Sequence, residues 1–265
     1  MNPHNLSRLT PALLAAVALL SVAAPAEAQL VPCAGIQGTG YKILLDDIFD
    51  AAGGTASPLM SSLVFKLTTN LEQLQLESGL PLKVIRCAKR RPSDPADFKR
   101  PMVEQLNARQ VVLEVWGTTA QATDTAGSPV HEATVGYLLV PVRFDEFTQG
   151  QPSGAFLSSR QAKSVTSVED LVRVVDQSGE LAAYVAVSTG VKLLRARDYE
   201  AARAQLCRAD ALLTKVSSGQ PPAARDKALI SYVQALAADV VAQARKDPAY
   251  TGTLKSPLLS AGGCK

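Results

Sequence analysis

With 265 residues, 47% of them apolar, the chain is long enough for one or two domains around a sizeable core, so its 4 cysteines would supplement the fold rather than hold it up. Its 27 basic and 24 acidic residues leave a net charge of only +3. That balance argues against nucleic acid as a partner, which usually calls for a strongly basic domain.

The amino terminus reads as a secretory leader: Arg8 near the start, an apolar run from Pro11 to Ala24, and the small residues of Ala26-Glu27-Ala28 before Gln29. The run falls short of the about 20 apolar residues that a bilayer span needs. Residues 1–28 are therefore expected to be removed near Ala28, leaving a periplasmic or secreted product without a stable membrane anchor. Cys33 follows Leu30-Val31-Pro32, not the small residues that precede a lipid-modified cysteine.

Residues 29–145 carry the marks of a mixed α/β sandwich domain. Tyr41 to Phe49, bounded by Gly38, Gly40 and Gly53-Gly54, reads as a buried strand. From Pro58 the apolar positions Leu59, Leu63, Leu67, Leu71 and Leu74 recur at helical steps, with Ser57 as N-cap and Ser78-Gly79 as the stop. Leu80 to Ala88 is a second strand, with Pro81 at its start. The basic, proline-broken loop Lys89-Arg90-Arg91-Pro92 follows, and Asp97 caps a helix over Phe98 to Arg109. Val111 to Gly117 and Val130 to Phe144 are strands joined by a reversal over Asp124 to Ser128. This order predicts a mixed sheet with helices packed on it.

Residues 146–165 are polar, contain Gly150, Pro152 and Gly154, and read as a linker. Residues 166–247 read as all-helical. Thr166-Ser167-Val168-Glu169 is a capping box for a helix that Gly179 ends. A second helix spans Glu180 to Ala196, a third runs from Asp198 to Val216, and a fourth follows Pro221-Pro222 and closes at Lys246-Asp247-Pro248. The tail, residues 248–265, reads as irregular. The fold class expected is α+β.

Four cysteines allow three pairings. Cys33 with Cys87 and Cys207 with Cys264 is the favoured set, since each bridge would close one domain in an oxidising compartment. No pair has the Cys-x-x-Cys spacing of a redox motif.

Gly190, Leu193, Tyr199, Ala202, Leu206 and Ala209 stand at the mutual spacings of the tetratricopeptide repeat, and Asp198-Tyr199-Glu200-Ala201-Ala202 resembles that repeat's link into its second helix. The resemblance covers one repeat. Ala186 replaces the early tryptophan and Thr214 the closing proline, so flanking helices would have to cap the hairpin. It implies an all-α, tetratricopeptide-like domain that binds another protein. Tyr41 to Phe49, the Leu-rich helix and Leu82-Lys83-Val84-Ile85-Arg86 resemble, in element order, envelope domains of the amino-terminal region of the Tol-Pal translocation protein and of curli-secretion-channel-like assembly lipoproteins. That likeness implies binding to other envelope proteins.

Residues for catalysis or metal binding are sparse. After leader removal His131 is the remaining histidine, placed beside Glu132 near a turn, without a nucleophile elbow. No metal and no cofactor are expected, because the dispersed cysteines lack ligand spacing. Gly35, Gly38 and Gly40 precede the first strand, whereas a phosphate loop follows one. Two functions from different classes are compatible with these residues. One is a non-catalytic exported envelope protein that engages an envelope partner through Lys89, Arg90, Arg91, Lys192 and Arg195, with Tyr184 also on the surface. The other is a periplasmic hydrolase of cell-wall glycans using two carboxylates drawn from Asp46, Asp47, Glu114 and Glu132, about 5 to 10 Å apart across a cleft.

Overall fold

The computed structural model describes residues 36–50, 58–87, 100–143, 155–165, 167, 180–217, 224–250 and 264. In chain order they form β1 (Tyr41–Asp50), α1 (Pro58–Ser78), β2 (Leu82–Cys87), α2 (Arg100–Ala108), β3 (Val111–Thr123), β4 (Pro129–Arg143), β5 (Ala155–Val165), α3 (Glu180–Arg195), α4 (Tyr199–Ser217) and α5 (Ala224–Lys246). The fold is α+β. The strands make one mixed sheet in the order β2-β1-β3-β4-β5, with β1 parallel to both neighbours and β4 antiparallel to both of its own.

From β1 the chain steps outward to β2 and then back past β1 to β3. Parallel crossovers are right-handed, so steps in opposite directions put their helices on opposite faces. The packing follows that rule. Val64, Leu67 and Leu71 of α1 pack with Ile43 and Leu45, whereas Val103 and Leu106 of α2 pack with Leu44, Trp116 and Leu138. The β3–β4 reversal lies where its residues predict. Asp124 Oδ1 accepts from the Ala126 and Ser128 amides at 2.9 and 2.8 Å, and Gly127 takes φ +83°. β3 runs past Gly117 to Thr123, because Thr118 to Thr123 contains no breaker before Asp124.

The expected linker over 146–165 is corrected in its second half. Ala155–Val165 is a strand that pairs antiparallel with β4 from His131 to Arg143. Its polar composition hid it, since an edge strand does not need the apolar run of a buried one. With β3 on one side and β5 on the other, β4 is an interior strand, which suits its run Tyr137 to Val142.

α3 is buried at every position from Glu180 to Leu194. Its residues Leu181 to Val187 are apolar on all sides, the pattern of a helix enclosed by structure. One side of α3 packs on β3 and β4, where the Tyr137 and Tyr184 rings lie 5.4 Å apart, and another packs on α4. A Cβ on Gly190 would come within 2.8 Å of Leu206 Cγ, so glycine lets the two helices approach closely. Sheet and helical hairpin thus share one hydrophobic cluster, from Ile43 to Ala244. Tyr184 is buried, a correction to its expected surface position, because its ring fills the gap between sheet and helix.

The chain turns between α3 and α4 with Arg197 at φ +62°, its amide and that of Asp198 bonded back to Leu194 O and Leu193 O at 3.0 Å each. Asp198 Oδ1 accepts from the Ala201 amide at 3.3 Å, the expected cap. α5 packs along α4 through Leu229, Val233, Ala237 and Val240. Cys207 of α4 is bridged to Cys264. Cys87 is also disulfide-bonded, and its expected partner Cys33 lies outside the described residues. The expected leader, the loop with Lys89, Arg90 and Arg91, and the capping-box helix after Ser167 lie outside them too.

Candidate functional site

Two chain stops far apart in sequence meet in space. The α3–α4 turn brings Leu194, Arg195, Arg197 and Tyr199 against Gln243, Lys246, Asp247, Pro248 and Ala249 at the end of α5, around a concavity of about 610 Å³. That volume falls within the range of ligand clefts. Three cations, Arg195, Arg197 and Lys246, surround one carboxylate, Asp247.

Asp247 is already engaged. Tyr199 Oη donates to its Oδ2 at 2.7 Å, the Ala249 amide donates to its Oδ1 at 2.9 Å, and Arg197 Nη1 stands 3.6 Å from Oδ2. The Tyr199 bond, followed by the Ala249 amide, holds the Asp247 carboxyl below its ordinary range, and the same bond pushes the Tyr199 phenol up. Tyr250 meets the Tyr199 ring edge-on at 5.4 Å and donates to Glu200 Oε1 at 3.2 Å. These contacts position the floor of the site. Arg195 and Lys246 are exposed and have no carboxylate partner among the described residues. The site can therefore receive an anion from outside.

Of the residues expected to bind a partner, Arg195 lies in this concavity. Lys192 does not, a correction: only 8% of it is exposed, and its Nζ donates to Asn107 O at 2.5 Å. Lys42, 2% exposed, donates to Gly38 O, Gly40 O and Arg109 O at 2.8, 3.0 and 3.1 Å. Both ammonium groups serve carbonyls at or just past the end of α2, where a helix leaves its acceptors unmet and its dipole is negative. Sequence reading missed this because the acceptors lie 85 and 67 residues away.

The buried position of Lys192 predicts a pH dependence. Burial, then the like charges of Arg195 and Lys42, bring its pKa down to about 8 from the ordinary 10.5. Between those values the unfolded chain binds more protons, so stability rises with pH. Lys42, also lowered chiefly by burial, acts in the same direction. Tyr41, Tyr199 and Tyr250 are raised and oppose the trend above about pH 10, since the folded chain then holds their protons more tightly. The unfolding free energy from urea titrations should gain about 1–2 kcal/mol between pH 8 and 10 after allowance for solvent screening. Lys192→Met should shrink the rise. A wild-type profile that is flat or falling across that window would show a hydrated amine.

Of the carboxylates considered for glycan hydrolysis, Asp46 and Glu114 lie on paired strands, Asp46 two residues past Leu44, the β1 partner of Glu114, whereas Glu132 stands apart. Asp46 and Glu114 are wholly buried in β1 and β3. Glu132 pairs with Ala120 while Glu114 pairs with Leu138, six residues further along, a separation of about 20 Å. Asp47 lies in β1. His131 is partly buried on β4 opposite Gln121. Among the described residues, no group of three or more His, Cys, Asp or Glu is placed to hold a metal ion, and no helix is long and apolar enough to cross a membrane.

Arg197, Tyr199, Lys246 and Asp247 were legible as helix-end residues, not as one site. Their signal was positional: both stop signals are basic and each adjoins an aspartate. Compared with known proteins, the chain matches no protein family and no characterised relative.

Proposed function

We propose that this is a non-catalytic protein of the bacterial-type cell envelope, exported by its amino-terminal leader, that binds another envelope protein through the basic concavity at the α3–α4 turn. The observation that carries the reading is the arrangement of Arg195, Arg197 and Lys246 around an already engaged carboxylate. The resemblance of Gly190 to Ala209 to a tetratricopeptide unit supports a binding role, and Gly190 packing against Leu206 fits such a hairpin. A concave face on α3, the surface such a hairpin would ordinarily offer, is filled here by the sheet. The contact is therefore assigned to the turn end of the hairpin.

Deleting Glu180 to Val216 would remove core residues and is no test of binding. A photoreactive amino acid placed at Arg195 in intact cells should give a discrete adduct with an envelope protein, and one at exposed Lys66 on α1 should not. Equal labelling at both positions, or none at Arg195, would remove the proposed contact.

A further inference from the structure

We infer that the occupant of the concavity is an acidic peptide segment of the partner, with Asp or Glu side chains seated between Arg195, Arg197 and Lys246; the inference rests on the binding role proposed above. Two of the cations, Arg195 and Lys246, have no carboxylate partner among the described residues, and Arg197 pairs with Asp247. Basic residues in a last helical turn often serve the helix's own carbonyls, but here the end of α3 is closed by backbone amides: Ala196 donates to Lys192 O, Arg197 to Leu194 O and Asp198 to Leu193 O, each at 3.0 Å. Arg195 is spared that task. Asp247 offsets one of the three charges, pairing with Arg197 at 3.6 Å while the Tyr199 hydroxyl and the Ala249 amide hold its oxygens in place, and two cations are left without an anion in the lining. Three cations against one anion give the lining a net charge of +2, with the carboxylates of Asp198 and Glu200 just outside it. Two of the cations are arginines, whose planar fork matches a carboxylate with paired hydrogen bonds.

The surroundings favour a peptide over an anionic lipid surface. Asp198 and Glu200 lie at the start of α4 beside the site, Glu200 fixed by Tyr250, and these anions repel a uniformly negative membrane. A peptide can direct its carboxylates inward between them. Leu194, Pro248 and Ala249 add apolar wall for the aliphatic part of such a side chain. The Tyr199–Asp247 bond fixes the floor, so the ligand meets a preorganised site, which lowers the cost of ordering on binding.

The test uses the oxidised, leader-free protein and fluorescein-labelled peptides rich in Asp and Glu, with Lys-rich and Gln-rich peptides of equal length as comparisons, read by anisotropy. The acidic peptide alone should bind, with affinity falling as salt rises. Arg195→Glu with Lys246→Glu should weaken it by about tenfold or more. Lys66→Glu with Lys227→Glu changes net charge equally at exposed positions outside the concavity and should leave affinity within about twofold. Matching circular dichroism and melting curves check that every variant is folded. Acidic-peptide binding that survives the Arg195 and Lys246 reversals overturns the inference. So does Arg195-dependent binding to phosphatidylglycerol vesicles without peptide binding. If the adduct at Arg195 forms in cells but the acidic peptide does not bind, the ligand chemistry fails and the binding role stands; if both are absent, both fail.

Discussion

Gly136→Val should destabilise the protein by about 3 kcal/mol, the upper range for overpacking a close-packed interior. Gly136 sits in the interior strand β4 opposite Trp116 of β3, and the indole lies directly over it. A Cβ there would fall 2.3 Å from Trp116 Cζ2 and 2.4 Å from Cε2, distances that real contacts do not reach. The ring has nowhere to go. It is 7% exposed and packed with Leu138, Val140, Val103 and Leu106 between the sheet and α2. Urea unfolding is followed by far-ultraviolet circular dichroism, because Trp116 is the single tryptophan of the chain and its fluorescence is lost in the Trp116→Ala variants. Trp116→Ala alone should cost about 3–5 kcal/mol. Combined with Gly136→Val it should cost clearly less than the sum, since the valine enters the vacated space. Strict additivity would show that the two residues do not oppose each other.

Cys207→Ser with Cys264→Ser should cost about 4 kcal/mol, the loop-closure value for a bridge of this span. The sequence separation is 57 residues, and the closed loop contains the whole of α5. Opening it gives the unfolded chain back much conformational freedom while the core of α4 and α5 stays unchanged. For a chain of this size the expected fall in Tm is roughly 10 °C. The paired substitution is a cleaner test than reductant, which would also act on the disulfide at Cys87. A loss under about 1 kcal/mol would show that packing of Leu229, Val233 and Val240 holds α5 in place without the bridge.

Much of the element list was readable from local pattern, for identifiable reasons. The start of α1 at Pro58 and its end at Ser78-Gly79 follow from a residue that fits the first helical position and one that accepts φ +64°. The Asp124 turn follows from a carboxylate that reaches two amides within four residues. The Cys207–Cys264 bridge was favoured because it would close the helical part on itself, and it is present. β5 escaped notice because polar residues form an edge strand only when a neighbour offers its backbone, and that neighbour, β4, begins 26 residues earlier in numbering. Tyr184 and Lys192 were misplaced for a related reason. A helical period shows that a helix has faces, but α3 has the sheet on one side and α4 on another, so residues that would be surface on a free hairpin became interior.

Apart from β5, the residues alone determined where the described chain coils, extends and turns, since those choices are made by side-chain period, caps and backbone freedom within a few positions. Tertiary structure alone decided which surfaces remained available. Arg195 and Lys246 became neighbours because α5 lies back along α4 and ends beside the α3–α4 turn. Lys192, one helical turn before Arg195, was drawn inward to the carbonyl of Asn107. That division has one physical source: desolvation and charge pairing act on distances in space, and packing, not sequence spacing, sets those distances.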